Sequence, residues 1–231
     1  MVQQVSRPSV VRGRWYPMSW EEFLDWAPDE GQAEWVDGKG IAHVSNSPRH
    51  ILMVFFFARL LKRYCEIFDF GEVYVDKLLT RLPARPAGRM PDIVVVGRGD
   101  APGADDRWFE GRARIVAEFL SEDSVERDTI EKADEFAARG FPEYLWADAR
   151  PNRRDFRFLR LTDQGAYDPA APDDQGRYHS EALPGFWFRP EWFWQDPLPD
   201  PEDLMLEIAP DAYEAWLAAK LRARRERRGE W

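Results

Sequence analysis

The chain is expected to fold as an α/β domain, a mixed central sheet with helices on both faces, and three stretches predict it. Ile115-Val116-Ala117-Glu118-Phe119-Leu120-Ser121 is a short apolar run between polar segments, the pattern of a strand covered on both faces. A helical stretch from about Val125 to Arg139 follows, and Gly140 to Asp148 returns as a strand, which gives strand, helix and strand in succession. Ile93-Val94-Val95-Val96 is another buried run, with Pro91-Asp92 at its mouth.

Residues 1 to 17 lack periodicity and read as an N-terminal arm. Ser19-Trp20-Glu21-Glu22 has the serine-then-acid spacing of a capping box and opens a short helix through Trp26. Gln32 to Val36 and Lys39 to Ser45 form a hairpin around Asp37-Gly38, a pair that tolerates the positive φ of a tight turn. Ser47-Pro48 supplies an N-cap and a first helical residue. The helix then runs to about Phe68 as a core helix, with Leu52, Phe55, Phe56, Arg59, Leu60 and Tyr64 rotating around it. Glu72 to Leu82 alternates roughly enough for one strand, and Pro83 to Arg89 is a loop containing Pro and Gly.

After the polar loop Gly99 to Asp106 come the strand of Glu118 and its helix, which Gly140 ends. Phe156, Phe158 and Leu161 mark an outer strand, and Gly165 to Arg177 is polar loop. Phe186 to Trp194 is the most aromatic block, read as packing over the sheet or in a dimer interface, with base stacking as the alternative. Pro197 to Pro201 is a stiff connector, and Asp211 to about Arg228 a terminal helix, apolar at Tyr213, Trp216, Leu217 and Leu221 and basic afterwards. The division expected is an arm at 1–17, an α/β domain at 18–196 and a C-terminal extension at 197–231.

Glu118 is the anomaly of its strand, because a carboxylate there must be paired, protonated or bound to a cation. Asp92 sits in a similar place, so two acids at the ends of two core strands point to one site. On the helix Asp128, Lys132, Phe136 and Arg139 fall at helical spacing, which carries Lys132 back toward Glu118; an ion pair with Asp128 is its plainer role. Asp92, Glu118 and Lys132 are together the parts of a metal-dependent phosphodiester-cleaving site. Two carboxylates offer hard oxygens to Mg²⁺ or Mn²⁺, and an ammonium beside them orients water or neutralises charge in the transition state. Glu34, on the first hairpin strand, is by itself a solvated residue. Arg81, Arg85 and Arg89 make the loop either a phosphate-contacting edge or a solvated turn. His50 is read as a surface or capping histidine, with contact to phosphate or a metal-bound water as its alternative.

At these residues the chain resembles the PD-(D/E)xK nuclease superfamily, and more closely the Uma-two (Uma2) family of restriction endonucleases. The segments that carry the resemblance are Ala33-Glu34-Trp35-Val36-Asp37-Gly38, Ser47-Pro48-Arg49-His50, Pro91-Asp92-Ile93, Glu118-Phe119-Leu120-Ser121, Glu131-Lys132 and Gly140-Phe141-Pro142-Glu143-Tyr144. Each is weak alone, and their order from about residue 18 to about residue 161 is the specific feature. The resemblance implies a restriction-endonuclease-like fold, Asp92 and Glu118 as metal ligands, Lys132 as the superfamily's lysine moved onto the helix, and Glu34 as an additional acid. The position two residues after Glu118 is Leu120, Glu122-Asp123-Ser124 replaces the family's Pro-Ser-Thr, and Phe136 stands where a tyrosine is usual.

Composition bounds the alternatives. A net charge of −10 argues against nucleic acid, since basic side chains drive much of that affinity, yet a carboxylate-rich cation site also looks acidic before its metal is bound. Six of the nine residues from Lys220 to Arg228 are basic. A single cysteine, Cys65, excludes an internal disulfide framework and fits a reducing cytoplasm. The apolar run Ile51 to Phe57 is closed by Arg59 and Lys62, so no membrane span is expected. A carboxylate-pair glycosidase needs two acids across a sugar cleft, and a lysine beside them argues against it. The expected function is a Mg²⁺- or Mn²⁺-dependent DNA endonuclease in the cytoplasm, with a homodimer open. The alternative is a binding module on the same fold that has lost cleavage.

Overall fold

The computed structural model describes residues 11–30, 32–43, 46–76, 78–82, 86–103, 105–121 and 124–228, with backbone alone at 28–30. The elements in chain order are β1 (Trp15–Pro17), α1 (Trp20–Glu30), β2 (Ala33–Val36), β3 (Lys39–Ala42), α2 (Pro48–Phe68), β4 (Gly71–Val75), β5 (Thr80–Leu82), β6 (Ala87–Arg89), β7 (Ile93–Gly97) and β8 (Ala113–Leu120). They continue with a π-turn (Arg127–Glu131), α3 (Lys132–Arg139), β9 (Glu143–Asp148), β10 (Phe156–Leu161), β11 (Tyr167–Pro169), β12 (Tyr178–His179), β13 (Trp187–Phe188), α4 (Pro201–Ile208) and α5 (Pro210–Arg228). The central sheet has the order β11-β10-β9-β8-β7-β4, and a five-stranded sheet β1-β3-β2-β6-β5 lies beside it. Strands β8 and β9 are parallel and the other central pairs antiparallel, which makes the sheet mixed, with the π-turn and α3 as its crossover.

Local chemistry accounts for most boundaries. The hairpin turns through Asp37 (φ 46°) and Gly38 (φ 80°), the positive-φ pair of a two-residue turn. The Ser19 N–H donates to Glu22 and the Glu22 N–H to Ser19 Oγ, which closes the capping box of α1. Ser47 Oγ accepts from the His50 N–H at 3.2 Å and caps α2.

Alternation along β7 and β8 divides the core. Ile93, Val95, Ile115, Ala117 and Phe119 face α2 and the aromatic block, while Val94, Val96 and Val116 face Phe136 of α3 and Tyr144. The aromatic block is core: Phe193 packs edge-on against Phe57 (5.1 Å between ring centroids) and Phe119 (5.5 Å).

Several expectations change, among them the loops at Pro83 to Arg89 and Gly165 to Arg177, which contain β6 and β11. The stretch Glu72 to Leu82 is two strands in two sheets, parted near Asp76, whose φ of 51° redirects the chain. Residues 15–17 of the expected arm are β1, paired with β3. The C-terminal extension does not stand apart: Leu204, Met205, Ile208 and Tyr213 join the core of α2, and Arg63 makes a forked ion pair with Glu202 at 2.8–3.2 Å. Leu217 and Leu221, on the apolar positions of the terminal helix, are exposed, as are Leu52 and Phe55 of α2. Each of these helices has only one side against protein. Among the described residues no helix is long and apolar enough to cross a membrane.

Gly71 opens β4 at φ 139°, where a Cβ would lie 2.0 Å from the Val96 carbonyl oxygen. Gly71→Ala is expected to cost about 2–4 kcal/mol, since both strain and a backbone clash must be relieved. Urea unfolding checks this, and an unchanged midpoint would contradict it.

Candidate active site

Asp92 immediately precedes β7, and β7 pairs with β8 so that Ile93 lies opposite Ala117. That register sets Asp92 beside Glu118. The Asp92 N–H reaches toward Glu118 Oε2 at 3.4 Å, and the Phe119 N–H donates to Asp92 Oδ2 at 2.7 Å. Glu118 shares the Val116 side of β8, the side covered by α3, and there Lys132 Nζ donates to Glu118 Oε1 at 2.7 Å. Glu34 comes from β2, with its Oε1 2.9 Å from the same ammonium, and Asp128 Oδ1 lies 3.0 Å from it. Residues far apart along the chain thus meet around one buried lysine. They line a cavity of about 190 Å³ together with His50, Ser124 and Arg127.

The π-turn explains how three helical side chains reach one place. The Lys132 N–H bonds to the Arg127 carbonyl five residues back, which widens the turn and brings Arg127 round beside Asp128. Arg127 Nε lies 3.6 Å from Glu34 and 3.4 Å from Asp128 and has no hydrogen-bond partner among the described residues.

The site is electrostatically crowded. Burial pushes the Glu118 carboxyl well above its usual range; Lys132 opposes this, while the charges of Asp128 and Asp92 add to it. Burial also works against the Lys132 ammonium, but Asp128, Glu118 and Glu34 outweigh it and keep the lysine protonated. Glu34 is the opposite case: burial raises it, yet Lys132, Arg89, His43 and Arg127 hold it well below the ordinary carboxylate range. The environment therefore distinguishes one acid that stays ionised from another that seeks a proton or a cation.

Several residues sit elsewhere than expected. His50 is not on the surface: it is 4% exposed, with Nε2 3.0 Å from Asp92 Oδ2, because the first turn of α2 points into the site. Burial lowers its affinity for a proton, but the hydrogen bond and charge of Asp92 prevail and raise its pKa above 6.5. Glu34, a solvated residue on its strand pattern alone and an additional acid by the resemblance, is buried beside Lys132. Arg89 is not an exposed phosphate contact: it is fully buried, forked onto Glu135 at 2.7 and 2.8 Å and bonded to Glu34 at 3.1 Å and Glu131 at 3.2 Å. Arg81 lies over the Trp20 ring, 4.0 Å from its centroid. Arg85 and the acids Glu122 and Asp123 lie outside the described residues. Asp128 is more than a partner for Lys132, and Arg127 is a cavity residue that the linear pattern does not mark. An acid spaced four residues before the lysine was the available signal for Asp128, whereas an α-helical wheel gives none for Arg127.

The divalent cation that the resemblance implies fits this chemistry. The donors are hard oxygens, and Glu118 is a buried carboxyl that would gain from a cation beside it. Among the described residues no three His, Cys, Asp or Glu side chains gather closely enough to hold a metal by themselves.

Comparison with known proteins agrees with this architecture. A family model, Uma2, described as "Putative restriction endonuclease", matches residues 20–191. A crystal structure described as a "putative nuclease belonging to DUF820" from Anabaena variabilis superposes with a TM-score of 0.64 at 14% identity, covering 77% of this chain and 98% of the other. At that identity the likeness is one of fold. No protein of curated function matches the chain.

Proposed function

The chain belongs to the Uma2 family, whose described activity is that of a nuclease, and from that premise we propose that it hydrolyses phosphodiester bonds in DNA at Asp92 and Glu118. The observation that carries the reading is the convergence of Asp92, Glu118 and Lys132, with Glu34, around one cavity. Asp92 and Glu118 would hold a Mg²⁺ or Mn²⁺ ion, which when bound polarises the phosphate and lowers the pKa of a coordinated water. The Phe119 N–H and His50 fix the Asp92 carboxylate. Lys132 has three N–H donors and three carboxylates within 3.0 Å, so it neutralises and positions the acids rather than taking a proton from water. Glu34 is a supporting acid behind that lysine. Arg127, rather than Arg89, is the cation we assign to the substrate phosphate.

The test is plasmid nicking with Mn²⁺. Wild-type protein is expected to relax supercoiled DNA, EDTA to stop it, and Lys132→Ala to slow it by about a hundredfold, the scale for losing one preorganised charge at a reacting centre. Nicking that Lys132→Ala retains would mark a contaminant. No nicking by either protein would favour a binding module on the same fold.

A further inference from the structure

A second cavity, about 490 Å³, opens against the first. The two share Asn46, His50 and Asp92, so the second begins at the wall of the proposed cleavage site. Its character is different: Ile51, Val54 and Phe55 of α2 face Val73 and Val75 of β4, the last strand in the order of the central sheet. Ile51 is 56%, Phe55 59% and Val75 45% exposed. Ala58, Arg59, Lys62 and Asp76 also line it; Arg59 lies 5.6 Å from the Phe55 ring centroid, and Lys62 pairs with Glu72 at 3.3 Å.

A regular duplex has nothing to put there. It turns phosphates outward and buries base faces in the stack, and a charged backbone laid on an apolar groove is desolvated without return. An unpaired nucleotide is suited to it: its base offers a flat, largely apolar face, and aromatic side chains beside arginine are where unstacked bases settle. The volume is that of a small-molecule site. The shared wall at His50 and Asp92 sets such a base beside the first cavity. Resting on the cleavage reading above, we propose that this groove receives the base next to the scissile phosphate, so that the substrate is single-stranded or locally unpaired DNA.

The experiment compares a fluorescein-labelled oligothymidine with a labelled duplex of the same length, by anisotropy in Ca²⁺, for wild-type protein and Phe55→Ala. Phe55 is exposed, so the variant keeps its fold. The single strand is expected to bind the wild type at least about tenfold more tightly than the duplex, and Phe55→Ala to lose about tenfold on the single strand alone, the scale of one stacked base. Equal binding of both ligands, or an equal loss on both in the variant, overturns the proposal. So does an unchanged affinity accompanied by a shift in sedimentation coefficient, which would assign the groove to a second copy of the chain. Selective single-strand binding with no cleavage of that strand in Mn²⁺ would retain the groove and remove the nuclease reading; cleavage without strand preference would do the reverse.

Discussion

Asp92→Asn is expected to abolish plasmid nicking and, in the same protein, to abolish stabilisation by Mg²⁺ or Mn²⁺. The substitution is nearly isosteric and keeps an amide oxygen for the Phe119 N–H, which donates to Asp92 at 2.7 Å. It removes the charge that, beside Glu118, makes the site attractive to a cation. In the wild type, a ligand at a hundred times its Kd adds about 2.7 kcal/mol, and for a chain of this size that raises Tm by about 5–10 °C. Asp92→Asn should show almost none of this rise, and its cleavage rate should fall on the order of a thousandfold or more, as expected when a metal's several kcal/mol of transition-state stabilisation is lost. Differential scanning fluorimetry with and without the cation, beside the nicking assay, reads both effects. A wild-type Tm indifferent to divalent cations, or an Asp92→Asn protein that still gains stability from them, would remove Asp92 from the site.

The second large effect concerns stability. Arg89 is enclosed by Glu34, Glu131 and Glu135, and the Glu34 and Glu135 side chains are themselves buried. Arg89→Leu leaves buried carboxylates without their partner, which costs about 3–5 kcal/mol, several times an exposed ion pair. Replacing Glu135 by leucine in the same protein should restore much of the loss, because the penalty lies in the orphaned charge more than in the missing attraction. Guanidinium unfolding of wild type, single and double variants measures it. A loss below about 1 kcal/mol would return Arg89 to the class of surface arginines. A substrate-contacting arginine would behave differently, losing DNA affinity with its stability intact.

The contrast between Arg89 and Lys132 shows how far a linear reading reaches. Lys132 is legible in the sequence because an acid in a covered strand demands a cation, and helical spacing offers one over the same sheet edge. The place of Arg89 is not, because a Pro- and Gly-containing stretch with three arginines looks like a phosphate-contacting edge or a solvated turn. Only the pairing of β6 with β2 carries Arg89 inward to Glu34 and Glu135. His50 is a similar case, since an N-terminal helical turn is surface or interior according to what the helix packs against, and here that is the mouth of β7.

By itself the sequence determined the strand-helix-strand unit around Glu118, the hairpin at Asp37-Gly38, the caps of α1 and α2, the family resemblance, and the order of Asp92, Glu118 and Lys132. These follow from local rules: side-chain periodicity, positive φ at a turn, unpaired amides at a helix start, and the cost of a charge in an apolar run. Tertiary structure alone decided that Glu72 to Leu82 serves two sheets, that Leu52 and Phe55 face outward, that the C-terminal helices close the core, and that Arg127, Asp128 and His50 share the cavity. The reason is physical. Periodicity states which face of an element avoids water, whereas the partner that covers it is chosen by contacts between residues distant along the chain.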